Sequence, residues 1–91
     1  MLSKKAITSE IIKMLQKHYP TERITIDTLL EGYYGDDRSI SNLNMSSLDL
    51  VEFISDIEEY YNIIIDFDAQ FYTVKDVIEN VCHCIEQKKG N

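Results

Sequence analysis

At 91 residues, 44 % hydrophobic and 10 % aromatic, the chain is sized for one small domain (1–91) with a thin core and is too apolar for a disordered tail. Its net charge is −7, and twelve acids fall between Asp27 and Asp76, opposed there only by Arg38 and Lys75, which leaves −10 in the middle and +3 at the two ends together. Such a centre repels nucleic acid and anionic lipid and favours encounter with basic protein surfaces; with no apolar run of spanning length and no signal-like core in "MLSKKAITSE", the expectation is a cytoplasmic protein without a membrane span.

The first predicted element is a helix over "SKKAITSEIIKMLQKHY". Ile7, Ile11, Met14, Leu15 and His18 recur at helical spacing, and Lys4, Lys13 and Lys17 lie elsewhere. Ser3 is the expected N-cap, and Pro20 disfavours helix at Tyr19. A long connection follows, from Thr21 to Met45. Gly32, Gly35 and the polar run "GDDRSISN" mark it as a loop, while Ile24, Ile26, Leu29, Leu30, Tyr33 and Tyr34 should anchor it over the helices. Asp36 and Asp37 lack the ligand series and glycine of a calcium loop.

The second helix is expected to start at Ser46 or Ser47 and run to Tyr61. Leu50, Phe53, Ile54, Ile57 and Tyr61 share one arc, taking roughly 100° per residue. Asp49, Glu52, Asp56 and Glu59 share another, with Leu48 and Val51 at its edge. A solvated face ordinarily mixes lysine with such acids, and this helix has no lysine or arginine. The acids therefore form an exposed ridge suited to a basic partner. After Asn62, "IIIDFDAQFY" reads as a packed or extended segment, with "DFDAQ" as a single helical turn capped by Asp66. The last helix is expected from Thr73, with Asp76 three residues on, to about Gln87; Val74, Val77, Ile78, Val81 and Ile85 make its apolar face. Cys82 and Cys84 are two apart on it, so they point about 200° from each other and cannot grip one metal ion while it stays helical.

The fold class is thus all-α, a small four-helix bundle of three main helices and one short one. Nothing in the chain resembles catalytic machinery. No base stands near the paired serines, and there is no glycine-rich phosphate loop.

"NLNMSSLDLVEFISDIEEYYNI" resembles the acyl carrier protein family, whose pattern reads D-L-G-x-D-S-L-D-x-V-E-L followed by an acidic helix ending in E-E-x-F/Y. Leu43, Ser47, Leu48, Asp49, Val51, Glu52, Ile57, Glu58, Glu59 and Tyr61 keep step with it, and "FYTVKDVIENV" is similar to the stretch that leads into the family's last helix. The resemblance covers Leu43 to Val81. It implies the acyl-carrier type of bundle, a monomer, and a covalent 4′-phosphopantetheine arm on Ser47. It also implies a separate phosphopantetheinyl transferase that supplies magnesium and coenzyme A, which accounts for the missing base. Cargo would be an acyl group held as a thioester, or alternatively an aminoacyl, peptidyl or D-alanyl group; an unmodified interaction module is a third reading. Loading and condensing enzymes with basic surfaces would meet Leu48, Asp49, Val51, Glu52, Asp56 and Glu59. Three departures stand out. Ser46 replaces the aspartate before the modified serine, Asn42 and Asn44 replace a loop aspartate and glycine, and Glu31–Ser41 looks like an insertion.

Overall fold

The computed structural model describes residues 3–31, 41–66 and 68–90. Its elements are α1 (Lys4–His18), β1 (Leu29–Glu31), β2 (Asn42–Met45), α2 (Ser47–Tyr61) and α3 (Val74–Gly90).

α1 starts where Ser3 accepts from the Ala6 N–H at 3.1 Å and ends at Tyr19, whose N–H reaches the Leu15 carbonyl. Gln16 closes the turn around Pro20 by donating to the carbonyls of Tyr19 and Glu22. Ile7, Ile11 and Leu15 are buried and Met14 is half-buried. His18, expected on the apolar side, is exposed, because it lies in the last turn beyond the reach of the core.

The connection after α1 does pack over the helices. Ile24 and Leu30 join the core, and buried Thr28 holds the chain by accepting from the Thr25 N–H at 2.8 Å and pairing with the Ser41 hydroxyl. It is not all loop, however. β1 and β2 pair in parallel, Leu29 opposite Asn42 and Glu31 opposite Met45, with an irregularity between the two pairs. Leu29 also bridges to Thr73. The strands are short and the apolar anchors too few to show a period of two, which is why the sequence alone does not reveal them. Tyr33, Tyr34, Asp36, Asp37 and most of the Glu31–Ser41 insertion lie outside the described residues.

α3 is seated by the same connection. Val74 N–H donates to the Thr28 carbonyl at 3.0 Å, Lys75 N–H to Ile26 at 2.9 Å, and Leu30 N–H to Tyr72 at 2.9 Å. Val74, Val77, Ile78 and Val81 are then fully buried against α1 and α2 residues in one core. The helix runs past Gln87 to Gly90. Lys88 ties that extra turn down by donating to the Asn62 carbonyl at 2.7 Å.

The expected short fourth helix is absent among the described residues, and the bundle has three helices there. Asp66 does organise its segment, with its side chain accepting from Asp68 N–H at 2.9 Å and its carbonyl from Ala69 N–H at 3.0 Å. That closes one turn, and no helix grows from it: Tyr72 and Thr73 N–H groups go instead to the Asp76 carboxylate. Phe67 lies outside the described residues. Ile63 and Ile65 are buried on either side of exposed Ile64, so the isoleucine run is a packed extended segment rather than a strand.

Candidate functional site

The start of α2 is built by three local devices. Leu43 and Met45 are buried, and Asn44 between them takes a positive φ of 50°, a conformation that asparagine tolerates better than most residues. Asn42 stabilises the bend by accepting from Asn44 N–H at 2.9 Å. With Met45 anchored, Ser46 falls at the N-cap. Its hydroxyl accepts from Asp49 N–H at 3.1 Å, while Asp49 carboxylate accepts from Ser46 N–H at 3.1 Å. This is a reciprocal capping box, and Ser46 takes over the capping role expected of an aspartate there.

Ser47 is consequently the first residue of α2, with its side chain exposed. Its own N–H and that of Leu48 belong to the helix-start donors without an intrahelical acceptor. They sit at the positive end of the helix dipole, where phosphate groups are favoured. Ser47 hydroxyl donates to the Glu31 carboxylate at 3.4 Å. Glu31 ends β1, and its pairing with Met45 brings it beside the helix start. Nothing in the sequence announces this contact, since the residues are sixteen apart and only the strand register joins them.

The remaining sequence-predicted residues cluster on one side of the same helix. Asp49, Glu52, Asp56 and Glu59 are all exposed. None of them forms an ion pair with a lysine or arginine among the described residues. Leu48 is 68 % and Val51 63 % exposed, both high for their type. Asp49 does double duty, because one of its oxygens is committed to the cap. Leu15, Tyr19, Met45 and Phe53 form the apolar floor of a groove of about 230 Å³ that Asp49, Glu52, Asp56 and His18 border. Burial there raises the Tyr19 hydroxyl above its usual pKa, and the charge of Asp49 adds to this. The core-facing side of α2 buries Phe53 and Ile57. Its far end is pinned by Tyr61 hydroxyl donating to Glu10 at 2.7 Å and by Glu58 accepting from Ile65 N–H at 2.8 Å. Burial, and then the bond to Glu10, drive the Tyr61 hydroxyl far above its ordinary range.

A family model described as "Phosphopantetheine attachment site" matches residues 32–85, more than half of the chain. The chain belongs to that family. It is a carrier domain, an attachment site for covalently bound 4′-phosphopantetheine, and such carriers interact with transferases and biosynthetic enzymes rather than catalysing reactions themselves. The match spans β2, α2 and most of α3 and leaves out α1, the same division that the residue pattern implies. No curated protein and no solved structure gives a significant match.

Two further observations bear on the carrier. The chain's own thiols, Cys82 and Cys84, are half-buried and free. Burial pushes both above the usual thiol pKa, and the charge of Glu58 adds to the effect at Cys84, so they are poor nucleophiles. Among the described residues no helix is long and apolar enough to cross a membrane.

Proposed function

We propose that Ser47 carries the 4′-phosphopantetheine arm. On this reading the chain acts as a single, monomeric carrier domain that holds acyl groups as thioesters and delivers them to partner enzymes through α2. The observation that carries the reading is the open start of α2: an exposed serine hydroxyl at its first position, directly before Leu48 and Asp49. The residues present fit a phosphodiester at that oxygen. The hydroxyl faces solvent, the neighbouring N–H groups of Ser47 and Leu48 favour negative charge, and Ser46 is already committed to the cap.

When bound, the arm supplies a thiol that holds cargo in an exchangeable thioester. The chain's part is placement. The capping box fixes the direction in which α2 leaves β2, so Ser47 is held at a rigid corner. Leu48 and Val51 offer apolar contact next to it, and Asp49, Glu52, Asp56 and Glu59 give basic enzymes a concentrated field that speeds encounter and sets orientation.

The test is an intact-mass measurement after incubation with a phosphopantetheinyl transferase, coenzyme A and magnesium. The expected result is one arm added, located on Ser47 by fragmentation and lost in Ser47→Ala. Recovery of an acyl group released from the purified protein by thioester cleavage checks the cargo. An amino acid in its place would reassign the cargo and leave the arm untouched.

A further inference from the structure

Among the described residues the Ser47 hydroxyl has one partner, and it is a carboxylate from another element. Glu31 stands at the end of β1, half-buried, with its Oε1 3.4 Å from Ser47 Oγ. Its position is not a surface accident. Glu31 pairs in register with Met45, two residues before Ser47, and Met45 is 5 % exposed. The preceding Leu30 is fully buried, with its N–H on the Tyr72 carbonyl. Both backbones that carry the contact are therefore held by the core.

The residue before the serine makes this contact informative. That residue is Ser46, which supplies the cap but no charge. Asp49 lends one oxygen to the same cap. Among the described residues, Glu31 is the carboxylate left in contact with the hydroxyl.

We infer that Glu31 positions the Ser47 hydroxyl for modification and accepts its proton. The inference rests on Ser47 being the attachment point. In the step, Ser47 Oγ forms a bond to the coenzyme A phosphorus next to the pantetheine. The bond from that phosphorus to the bridging oxygen breaks, and 3′,5′-ADP leaves with the electron pair. The hydroxyl proton passes to Glu31 and from there to water. A carboxylate aligned on the O–H turns a lone pair of the oxygen outward, toward the incoming phosphorus. The 3.4 Å separation is long for a hydroxyl–carboxylate bond, as such bonds commonly are before the partner closes on them. After transfer the ester oxygen has no proton to donate, and the phosphodiester repels the carboxylate. The contact therefore belongs to the unmodified protein alone.

The experiment is steady-state kinetics of the transferase on the intact carrier, comparing wild type, Glu31→Gln and Glu31→Asp, with circular dichroism melts of each. Glu31→Gln keeps the shape and removes the proton acceptor. It should lower kcat by about 10²-fold, the lower end of what a positioned acid or base contributes, with KM for the carrier unchanged because docking runs through α2. Glu31→Asp, which keeps the charge on a shorter stem, should regain part of that loss. A Glu31→Gln carrier modified at the wild-type kcat overturns the role of Glu31 and leaves Ser47 as the attachment point. So does a loss expressed only in KM, or a loss that Glu31→Asp does not relieve. A wild-type carrier whose arm maps to another residue overturns the reading of Ser47 itself.

Discussion

α2 and α3 begin with the same device. A hydroxyl residue stands one position before each helix, Ser46 and Thr73, and an aspartate three positions on, Asp49 and Asp76, completes the reciprocal pair of hydrogen bonds. What lies over them differs. At α3 the next two N–H groups are taken by the carbonyls of Thr28 and Ile26, and the first helical residue, Val74, is 0 % exposed. At α2 the first helical residue is the exposed Ser47, and among the described residues no carbonyl outside the helix takes its N–H or that of Leu48. Both starts carry the same dipole. Only one is free to favour an added phosphate, because the connection after α1 lies across the other. A capping motif thus marks where a helix begins, and the chain packed against it decides whether that beginning is a joint or a site.

The largest expected effect tests that difference directly. Ser47→Ala should abolish the added arm completely in an intact-mass assay, while Ser46→Ala retains at least part of it. In the Ser47→Ala background, Val74→Ser places a hydroxyl at the equivalent first position of α3 and should restore no arm. An increment there would mean that cover over a helix start does not matter.

Next in size is the charge of α2. Replacing Glu52 and Asp56 together by lysine should slow the transferase by about 10- to 10³-fold at low salt, the range electrostatic steering spans, and flatten the salt dependence of the rate. Glu79→Lys, an equally exposed acid on α3, should change little. Val51→Ala should weaken docking at every salt concentration alike, because its contribution is apolar. Stopped-flow or discontinuous mass assays across a salt series read all three. Equal effects of the α2 and α3 reversals would reduce the ridge to net charge alone.

The caps themselves should be worth less. Ser46→Ala and Thr73→Ala should each lower unfolding free energy in urea melts by about 0.5–2 kcal/mol. The larger loss is expected at Thr73, which is half-buried and leaves the Asp76 N–H without its acceptor away from bulk water. Equal losses would show that burial of the α3 start adds nothing to its cap.

The smallest effect concerns the thiols. Their raised pKa leaves Cys82 and Cys84 less thiolate than an ordinary cysteine near pH 8. In the armed protein, peptide mapping after brief iodoacetamide treatment should find the arm thiol labelled first. The gap should narrow as pH rises through the range where the α3 thiols ionise.

The sequence alone was enough for the main helices and their buried faces. Ile7, Ile11 and Leu15 on α1, Phe53 and Ile57 on α2, and Val74, Val77, Ile78 and Val81 on α3 are buried as their spacing requires, because a helix returns the same face every three to four residues wherever it is placed. The caps at Ser3 and Thr73 were legible for the same reason: each depends on neighbours within a few residues. The acidic ridge could be read from spacing and the absence of any lysine on that helix. What the tertiary structure decided was everything that joins distant residues. The β1–β2 pair leaves no signal in the sequence because three- and four-residue strands are too short to show a period. The segment after Asp66 closes its one turn but grows no fourth helix among the described residues, and the N–H groups of Tyr72 and Thr73 go to Asp76 on the next element. The contact of Glu31 with Ser47 and the covering of one helix start but not the other exist only once the connection after α1 is folded back. Strand register and loop placement are set by the summed burial of Leu30, Leu43, Met45 and Thr28, a property of the whole core that no single window of sequence contains.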